Sequence, residues 1–400
     1  TTDIATITIT VTGINDPVVA VNDTGSVNED ATLTVSDGSG DIIADNDTDA
    51  DDSASLVVSA IRLGGTEGSG TAGTLGQPLT GTYGTLTLNA NGSYSYVADQ
   101  AAADALDAND TATDVFNYTL SDGTTTDIAT ITITVTGIND PVVAVNDTGS
   151  VNEDATLTVS DGSGDIIANN DTDADDSASL VVSAIRLGGT EGSGTAGTLG
   201  QALTGTYGQL TLNANGSYSY VANQSAADDL DAGDTATDVF NYTLSDGTAT
   251  DIATITITVT GINDAPVAQN DVGVINEDAT LTVSNSANAN VSGSYDATGE
   301  HSGDVINTSS SSHTDSDPDD SASLVVSAIR LGGTEGSGTA GSIGSALTGT
   351  YGQLTIAANG SYSYVANQSA ADDLDAGDSA TDVFNYTLSD GTATDIGTIT

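Results

Sequence analysis

An all-β chain of tandem Greek-key β-sandwiches in an extended rod is the fold class predicted by three observations. The 400 residues repeat themselves at long, regular intervals. Within each repeat, apolar residues alternate with Thr, Ser and Asn at period two over short runs. Asn-Gly, Asp-Gly and Gly-rich turns separate those runs.

The repeat is read from one segment. Asp127–Asp140 reproduces Asp3–Asp16, returns at Asp251–Asp264 and begins again at Asp395. Residues 17–44 match 141–168 without a change, and the extra length of the third copy lies between Val283 and Asp315. The expected divisions are the last strand and linker of a preceding repeat (1–16), repeat one (17–140), repeat two (141–264) and repeat three (265–400). Repeat three carries a Ser/Asn-rich insert at 284–314 and stops inside its last strand. These are units of immunoglobulin-like size, and the chain reads as a window on a longer array. A competing reading has Thr2–Thr12 completing the last repeat of a neighbouring molecule, as in donor-strand assembly. Asp395–Thr400 already supplies half of that strand, which favours the first reading.

The elements of repeat two follow in order. Thr156–Val159 and Leu180–Ile185 read as strands. Leu210 and Leu212, then Tyr218 and Tyr220, flank an Asn215-Gly216 hairpin turn. Ser225–Leu230 is the one briefly helical stretch. Phe240, Tyr242 and Leu244 alternate with Val239, Asn241 and Thr243. After the turn Ser245-Asp246-Gly247, Ile255, Ile257 and Val259 alternate with Thr254, Thr256 and Thr258. The last strand thus presents a Thr-rich outer face. With little aromatic content, the core must come mainly from Val, Ile, Leu and Ala, and such a core calls for outside support.

Composition narrows the function. There are 57 Asp+Glu against three Lys+Arg, a formal charge of −54, and no Cys, Met or Trp. Phosphate neutralisation needs clustered cations, so nucleic-acid binding is excluded, as is polybasic docking on anionic lipid. Disulfides and Cys metal sites are impossible. No run is long and apolar enough to read as a membrane span, and no leader pattern is visible. An acidic, aromatic-poor chain can be disordered, but 37% hydrophobic against 15% charged residues, set in regular alternation, argues for folding.

The acids cluster at strand ends and turns. In repeat two they fall at Asn152-Glu153-Asp154, Asp171-Thr172-Asp173-Ala174-Asp175-Asp176, Asp228-Asp229-Leu230-Asp231, Asp246 and Asn263-Asp264. Asp outnumbers Glu 50 to seven. Spaced Asp in loops concentrates hard oxygen ligands for Ca²⁺. Solvated turns of a salt-adapted protein are the other reading, and the clustering and scarcity of Glu favour calcium.

Other motifs carry less. Ile185–Gly194 resembles a glycine phosphate cradle, but no Lys-Ser/Thr follows and a glycine hairpin is expected. Arg62, Arg186 and Arg330, the only cations besides His, are expected to pair with local acids, Arg186 with Glu191 among them. His301 and His313, beside Glu300 and Asp315, could hold a transition metal, but a solvated loop is the preferred reading. No Ser-His-Asp set is present, and the first two repeats have no His. The chain is expected not to be an enzyme.

Leu230-Asp231, Phe240-Asn241-Tyr242-Thr243-Leu244-Ser245-Asp246-Gly247, the Thr/Ile strand and Asn263-Asp264-Ala265-Pro266 resemble the second half of a cadherin repeat. The phrases at 207–220 and 238–247 are most similar to the VCBS and cadherin-like repeats of large bacterial surface adhesins. The resemblance covers all three repeats. It implies Ca²⁺ between consecutive domains. At the junction of repeats one and two the implied ligands are Glu29, Asp107, Asn139, Asp140, Asp173, Asp175 and Asp246. At the next they are Glu153, Asp231, Asn263, Asp264, Asp317, Asp319 and Asp390. Asn15, Asp16, Asp49, Asp51 and Asp122 hold the equivalent positions ahead of repeat one. The family's Leu-Asp-Arg-Glu glutamate is replaced by Asn109, Gly233 and Gly377. Asp16-Pro17 and Asp140-Pro141 lack the usual intervening residue.

The function expected is that of a secreted, surface-displayed stalk that calcium stiffens and that projects a distal module for attachment or biofilm formation. Its partners are neighbouring repeats of the same chain, with surface glycan or protein bound by modules beyond this stretch. Two alternatives remain: a homopolymeric extracellular filament or matrix fibre, and a non-catalytic carbohydrate-binding module of a secreted enzyme that uses the Thr faces.

Overall fold

The computed structural model describes residues 2–38, 40–51, 55–162, 164–175, 178–284, 303–307, 313–319 and 322–400. In the first copy of the repeat the elements are β1 (Asp23–Asn28), β2 (Thr32–Val35), β3 (Val57–Leu63), β4 (Thr71–Ala72), β5 (Leu79–Thr80), β6 (Thr85–Leu88), β7 (Tyr94–Val97), α1 (Ala101–Asp104), β8 (Thr111–Ser121) and β9 (Thr126–Thr136). Two sheets face one another, ordered β1-β9-β8-β3-β4 and β2-β7-β6-β5. The second copy repeats both sheets strand for strand. The chain is therefore all-β, made of tandem β-sandwiches, as the alternation predicts.

The longest pairing is β8 with β9, antiparallel from Thr111↔Thr136 to Ser121↔Thr126. It sets Phe116 opposite Ile131 and Tyr118 opposite the small Ala129. Each strand sends alternate residues inward, so Ile131, Ile133 and Val135 are wholly buried in one cluster with Phe116 of the paired strand and Leu86 and Tyr96 of the facing sheet. Tyr96 and Phe116 meet edge to face, their centroids 6.4 Å apart. Fully burying one such side chain contributes about 1.5–3 kcal/mol.

The predicted strands run longer than the apolar alternation alone marks. In the second copy they extend to Thr235–Ser245 and Thr250–Thr260, while the helical stretch is the single turn Ser225–Asp228. Alternation also gives no sign of β1. Its sequence Asp-Thr-Gly-Ser-Val-Asn is polar, yet it pairs in parallel with β9 from Asp23↔Ile131 to Asn28↔Thr136. Gly25 is required there, because an added Cβ would lie 2.8 Å from both Ile133 and Leu33. In the third copy this pairing is the bridge Asp271↔Ile399.

Ile131, Ile133 and Val135 are core residues, but their counterparts Ile7, Ile9 and Val11 are 81–89% exposed in a segment with no assigned strand. A Thr/Ile run becomes a strand when neighbouring strands cover it, since β-propensity is mostly packing on a pleated surface.

Three hydrophobic clusters result, within residues 18–135, 142–259 and 281–399. Among the described residues no helix is long and apolar enough to cross a membrane.

Candidate metal centres between the sandwiches

The stretch from Gly137 to Asp140 leaves β9 and carries the chain from the first core to the second. At its start Glu29, just past β1, turns inward. Its backbone N–H donates to Thr136 O at 3.0 Å, and its Oε1 accepts from Ile138 N at 2.5 Å. Glu29 is 1% exposed, and its Oε2 is buried with no hydrogen-bond partner.

Downstream groups meet it. Asn139 Nδ2 donates to Asp246 Oδ2 at 2.9 Å and to the Asp140 carbonyl at 2.6 Å. Asp140 N donates to Asp175 Oδ2 at 3.1 Å, and Asp175 N to Asp173 Oδ1 at 3.1 Å. Carboxylate oxygens of Asp173, Asp175 and Asp246 all lie within 4.8 Å of one another. Asp140 Oδ2, Asp173 Oδ2 and Asp175 Oδ1 are buried and accept no hydrogen bond.

Electrostatics show how tightly these carboxylates are crowded. Burial, then the charges of Asp173, Asp107 and Asp246, push Asp175 above the usual carboxylate range. Asp140 is raised by burial and then by Asp175, Asp30, Asp104 and Asp173. Burial also raises Glu29 against the opposing Ile138 N–H, with Asp140 and Asp175 adding to the rise. Asp246 goes the other way. Burial works to raise it, but N–H groups of Thr248, Asn139 and Ala249 outweigh that and hold it low. Orphaned buried carboxylate oxygens cost free energy unless a cation or proton meets them. Several carboxylate oxygens with an adjacent linker carbonyl form the donor set of a hard divalent cation, and the residues present fit that group.

The same hydrogen-bond pattern recurs between the second and third cores, although among the described residues only Asp173, Asp175 and Asp246 bring three carboxylates within 4.8 Å of one another. Glu153 Oε1 accepts from Ile262 N. Asn263 Nδ2 donates to Asp390 Oδ2 at 2.9 Å and to the Asp264 carbonyl at 2.5 Å. Asp264 N reaches Asp319 Oδ2, and Asp319 N reaches Asp317 Oδ1, both at 3.1 Å. Glu153 Oε2, Asp317 Oδ2 and Asp319 Oδ1 are buried without partners. Asp231 acts on Asp317 through its charge. Ahead of the first core, Asn15 reaches Asp122 at 3.0 Å, Asp16 N reaches Asp51 at 3.0 Å, and Asp51 N reaches Asp49 at 2.7 Å. The candidate ligands fall into three corresponding sets, of which the first has no counterpart of Glu29 or Asp107. Asn15 and Asp16 are exposed, whereas Asn139 and Asp140 are half-buried.

Asp30 and Asp104 bear on Asp140, and Asp154 and Asp228 on Asp264. Sequence reasoning placed Asp154 and Asp228 in acid clusters without naming them as ligands, and it named neither Asp30 nor Asp104. It also missed polar groups inside each sandwich. Asp238 accepts from Thr206 N, Tyr207 N, Gly208 N and the Tyr220 hydroxyl, at 2.8, 3.0, 3.1 and 2.6 Å. The Tyr118 hydroxyl lies 2.9 Å from Asp23 Oδ2 and 3.2 Å from Asp47 Oδ2. The signal for Asp238 was available, since it keeps the two-residue frame of Phe240, Tyr242 and Leu244.

The expected arginine ion pairs do not form. Arg62, Arg186 and Arg330 donate to the carbonyls of Gly70, Gly194 and Gly338 at 3.3–3.4 Å, with no ion pair among the described residues. Arg186 pairs in the sheet with Ala196, which directs its side chain along the hairpin backbone. The hairpin itself is held by Asn241, whose Nδ2 donates to Gly188 O and Ser193 O while its Oδ1 accepts from Gly192 N. It is a clasped glycine loop with no phosphate cradle. His313 Nδ1 lies 2.5 Å from Asn270 O. His301 and Glu300 are outside the described residues.

Residues 15–137 and 139–261, together more than half of the chain, match the family described as bacterial cadherin-like domain. No curated protein matches. Among solved structures, the chain is similar to Drosophila N-cadherin EC1-4 at 9% identity and TM-score 0.30, covering 95% of this chain and 74% of that one. The protocadherin gammaB7 EC3-6 cis-dimer is 11% identical with TM-score 0.40, at 96% and 73% coverage. Three domains of a mouse clustered gamma protocadherin are 10% identical with TM-score 0.36, at 94% and 98% coverage.

Proposed function

The chain belongs to the bacterial cadherin-like domain family, and from that premise we propose that it is a calcium-stiffened extracellular stalk of a VCBS-type surface adhesin. In this reading residues 17–140, 141–264 and 265–400 are successive repeats, residues 1–16 close a preceding one, and Ca²⁺ links each pair. Glu29, Asp107, Asn139, Asp140, Asp173, Asp175 and Asp246 hold the ion or ions at one junction. Glu153, Asp231, Asn263, Asp264, Asp317, Asp319 and Asp390 do so at the next, and Asn15, Asp16, Asp49, Asp51 and Asp122 supply part of a third set. The stalk holds a distal binding module away from the cell.

The observation that carries this reading is the convergence of unpartnered buried oxygens on Glu29, Asp140, Asp173 and Asp175, from both sides of one junction. Without a cation these groups repel, and the chain has three Arg and no Lys to offset 57 acids. With one, the repulsion becomes a cross-link. At an extracellular-type Kd of about 10⁻⁴–10⁻³ M, tenfold excess calcium stabilises each site by about 1.4 kcal/mol.

Titrating the full chain with calcium under calorimetry tests the proposal. Saturable binding in that range, lost in Asp173→Asn/Asp175→Asn at one junction, is expected. Binding that those substitutions leave unchanged contradicts it.

A further inference from the structure

Two of the three Asn-Asp linkers run directly into proline, at Asp16–Pro17 and Asp140–Pro141, whereas the third reads Asp264-Ala265-Pro266. In an Asp–Pro bond the nitrogen is a tertiary amide without a hydrogen. The aspartate side chain can reach its own carbonyl carbon by closing a five-membered ring.

At Asp140 the surroundings favour that closure. Asn139 Nδ2 sits 2.6 Å from the carbonyl oxygen of the Asp140–Pro141 bond. Its other contact, Asp246 Oδ2 at 2.9 Å, is also an acceptor, so both neighbours select the same amide orientation. A fixed donor on a carbonyl oxygen stabilises the charge that develops when a nucleophile adds to the carbon. The nucleophile is at hand, because Asp140 Oδ2 is buried and accepts no hydrogen bond. Pro141 is exposed, so water reaches the leaving nitrogen.

We propose that Asp140–Pro141 is a self-cleavage site. The Asp140 carboxylate oxygen adds to the Asp140 carbonyl carbon, and the resulting oxyanion is held by Asn139 Nδ2. Collapse breaks the C–N bond. The proline nitrogen takes a proton from water and becomes a new amino terminus, while Asp140 remains as a cyclic anhydride. Hydroxide or water then opens the anhydride to two carboxyl groups. The net change is hydrolysis of one peptide bond by one water, with no redox step. A cation on Asp140 engages the same carboxylate, so cleavage belongs to the calcium-depleted junction; that regulation rests on the calcium reading above.

The other bonds grade the requirement. At Asp16–Pro17, Asn15 Nδ2 contacts the carbonyl at 2.7 Å, but Asp16 is exposed. At Asp317–Pro318, Ser316 stands where the Asn would be, and Asp264–Ala265 lacks proline.

The test is intact-mass spectrometry of the full chain during prolonged incubation with chelator or with calcium. In chelator, fragments ending at Asp140 and beginning at Pro141 should accumulate about tenfold or more faster than those from Asp317–Pro318. Pro141→Ala should stop that cut while Asp16–Pro17 cleavage continues, and urea should erase the preference among the Asp–Pro bonds. Equal rates at all three Asp–Pro bonds in the folded wild-type chain, or an intact Asp140–Pro141 bond, overturn the proposal without recourse to any variant. Preferential cleavage that calcium does not slow sustains the cleavage site and counts instead against calcium at Asp140.

Discussion

Asn139 and Asp246, 107 residues apart, meet through a 2.9 Å hydrogen bond that ties the linker to the turn after the long penultimate strand of the next sandwich. Asn263 and Asp390 repeat the contact at 2.9 Å, and Asn15 and Asp122 at 3.0 Å. Asp246 Oδ1 meanwhile accepts from Thr248 N and Ala249 N at 2.6 Å. The turn is thus held by its own local hydrogen bonds, and Asp246 presents its second oxygen to Asn139.

Neutralising one junction acid should act in opposite directions with and without calcium. In chelator, Asp175→Asn removes a buried charge crowded by Asp173, Asp107 and Asp246 and should stabilise the fold by about 1 kcal/mol. In calcium it should abolish most of the calcium-induced rise in melting temperature. Scanning calorimetry in both buffers reads the reversal.

Inside the first sandwich, burial, followed after the opposing Tyr118 hydrogen bond by the charges of Asp47, Asp45 and Asp41, pushes Asp23 up to about 7. The folded state therefore holds this proton more tightly than the unfolded chain does. Its contribution to stability is present at low pH and is lost as pH rises from about 4 to about 7. In the second sandwich Asn169 replaces Asp45 and donates to Asp147 Oδ1 at 3.3 Å. Asp45→Asn should accordingly lower the Asp23 pKa and narrow the window, as read by carboxyl NMR titration in chelator.

Asp238 collects four donors in a buried site. Asp238→Asn turns two N–H groups toward existing N–H donors and should cost about 2–3 kcal/mol. Tyr220→Phe, which removes one donor of the four, should cost about 1 kcal/mol. Denaturant unfolding distinguishes the two.

Two hairpin glycines should differ sharply on substitution. Gly194 has φ +98°, and an added Cβ would lie 1.9 Å from Leu187 O, whereas at Gly188, φ +125°, it would meet open space. Gly188→Ala should cost about 1 kcal/mol from backbone conformation alone. Gly194→Ala should cost several times that, with loss of the hairpin's amide protection in hydrogen exchange.

Much of the fold was legible because Ile255, Ile257 and Val259 alternate with Thr in a way only a half-buried strand explains. The parallel strand Asp147–Asn152 was not, since its polar sequence is ordered by its partner Thr250–Thr260 and has little apolar alternation of its own. The clustering of acids at strand ends was legible from their spacing, while their grouping into junction sets came from the resemblance to cadherin repeats. Asp238 and Asn241 were passed over because polar residues inside an apolar strand gain meaning only once the facing loops are known. The arginines were misjudged for the same reason: their nearest acceptors are hairpin carbonyls brought close by folding.

Calcium at the junctions is tested most directly by an anomalous difference map from crystals grown with calcium. Peaks are expected about 2.3–2.6 Å from carboxylate oxygens of Asp173, Asp175 and Asp246, and of Asp317, Asp319 and Asp390. A high-resolution map with these carboxylates ordered and no anomalous peak between them, at saturating calcium, would contradict calcium at the junctions.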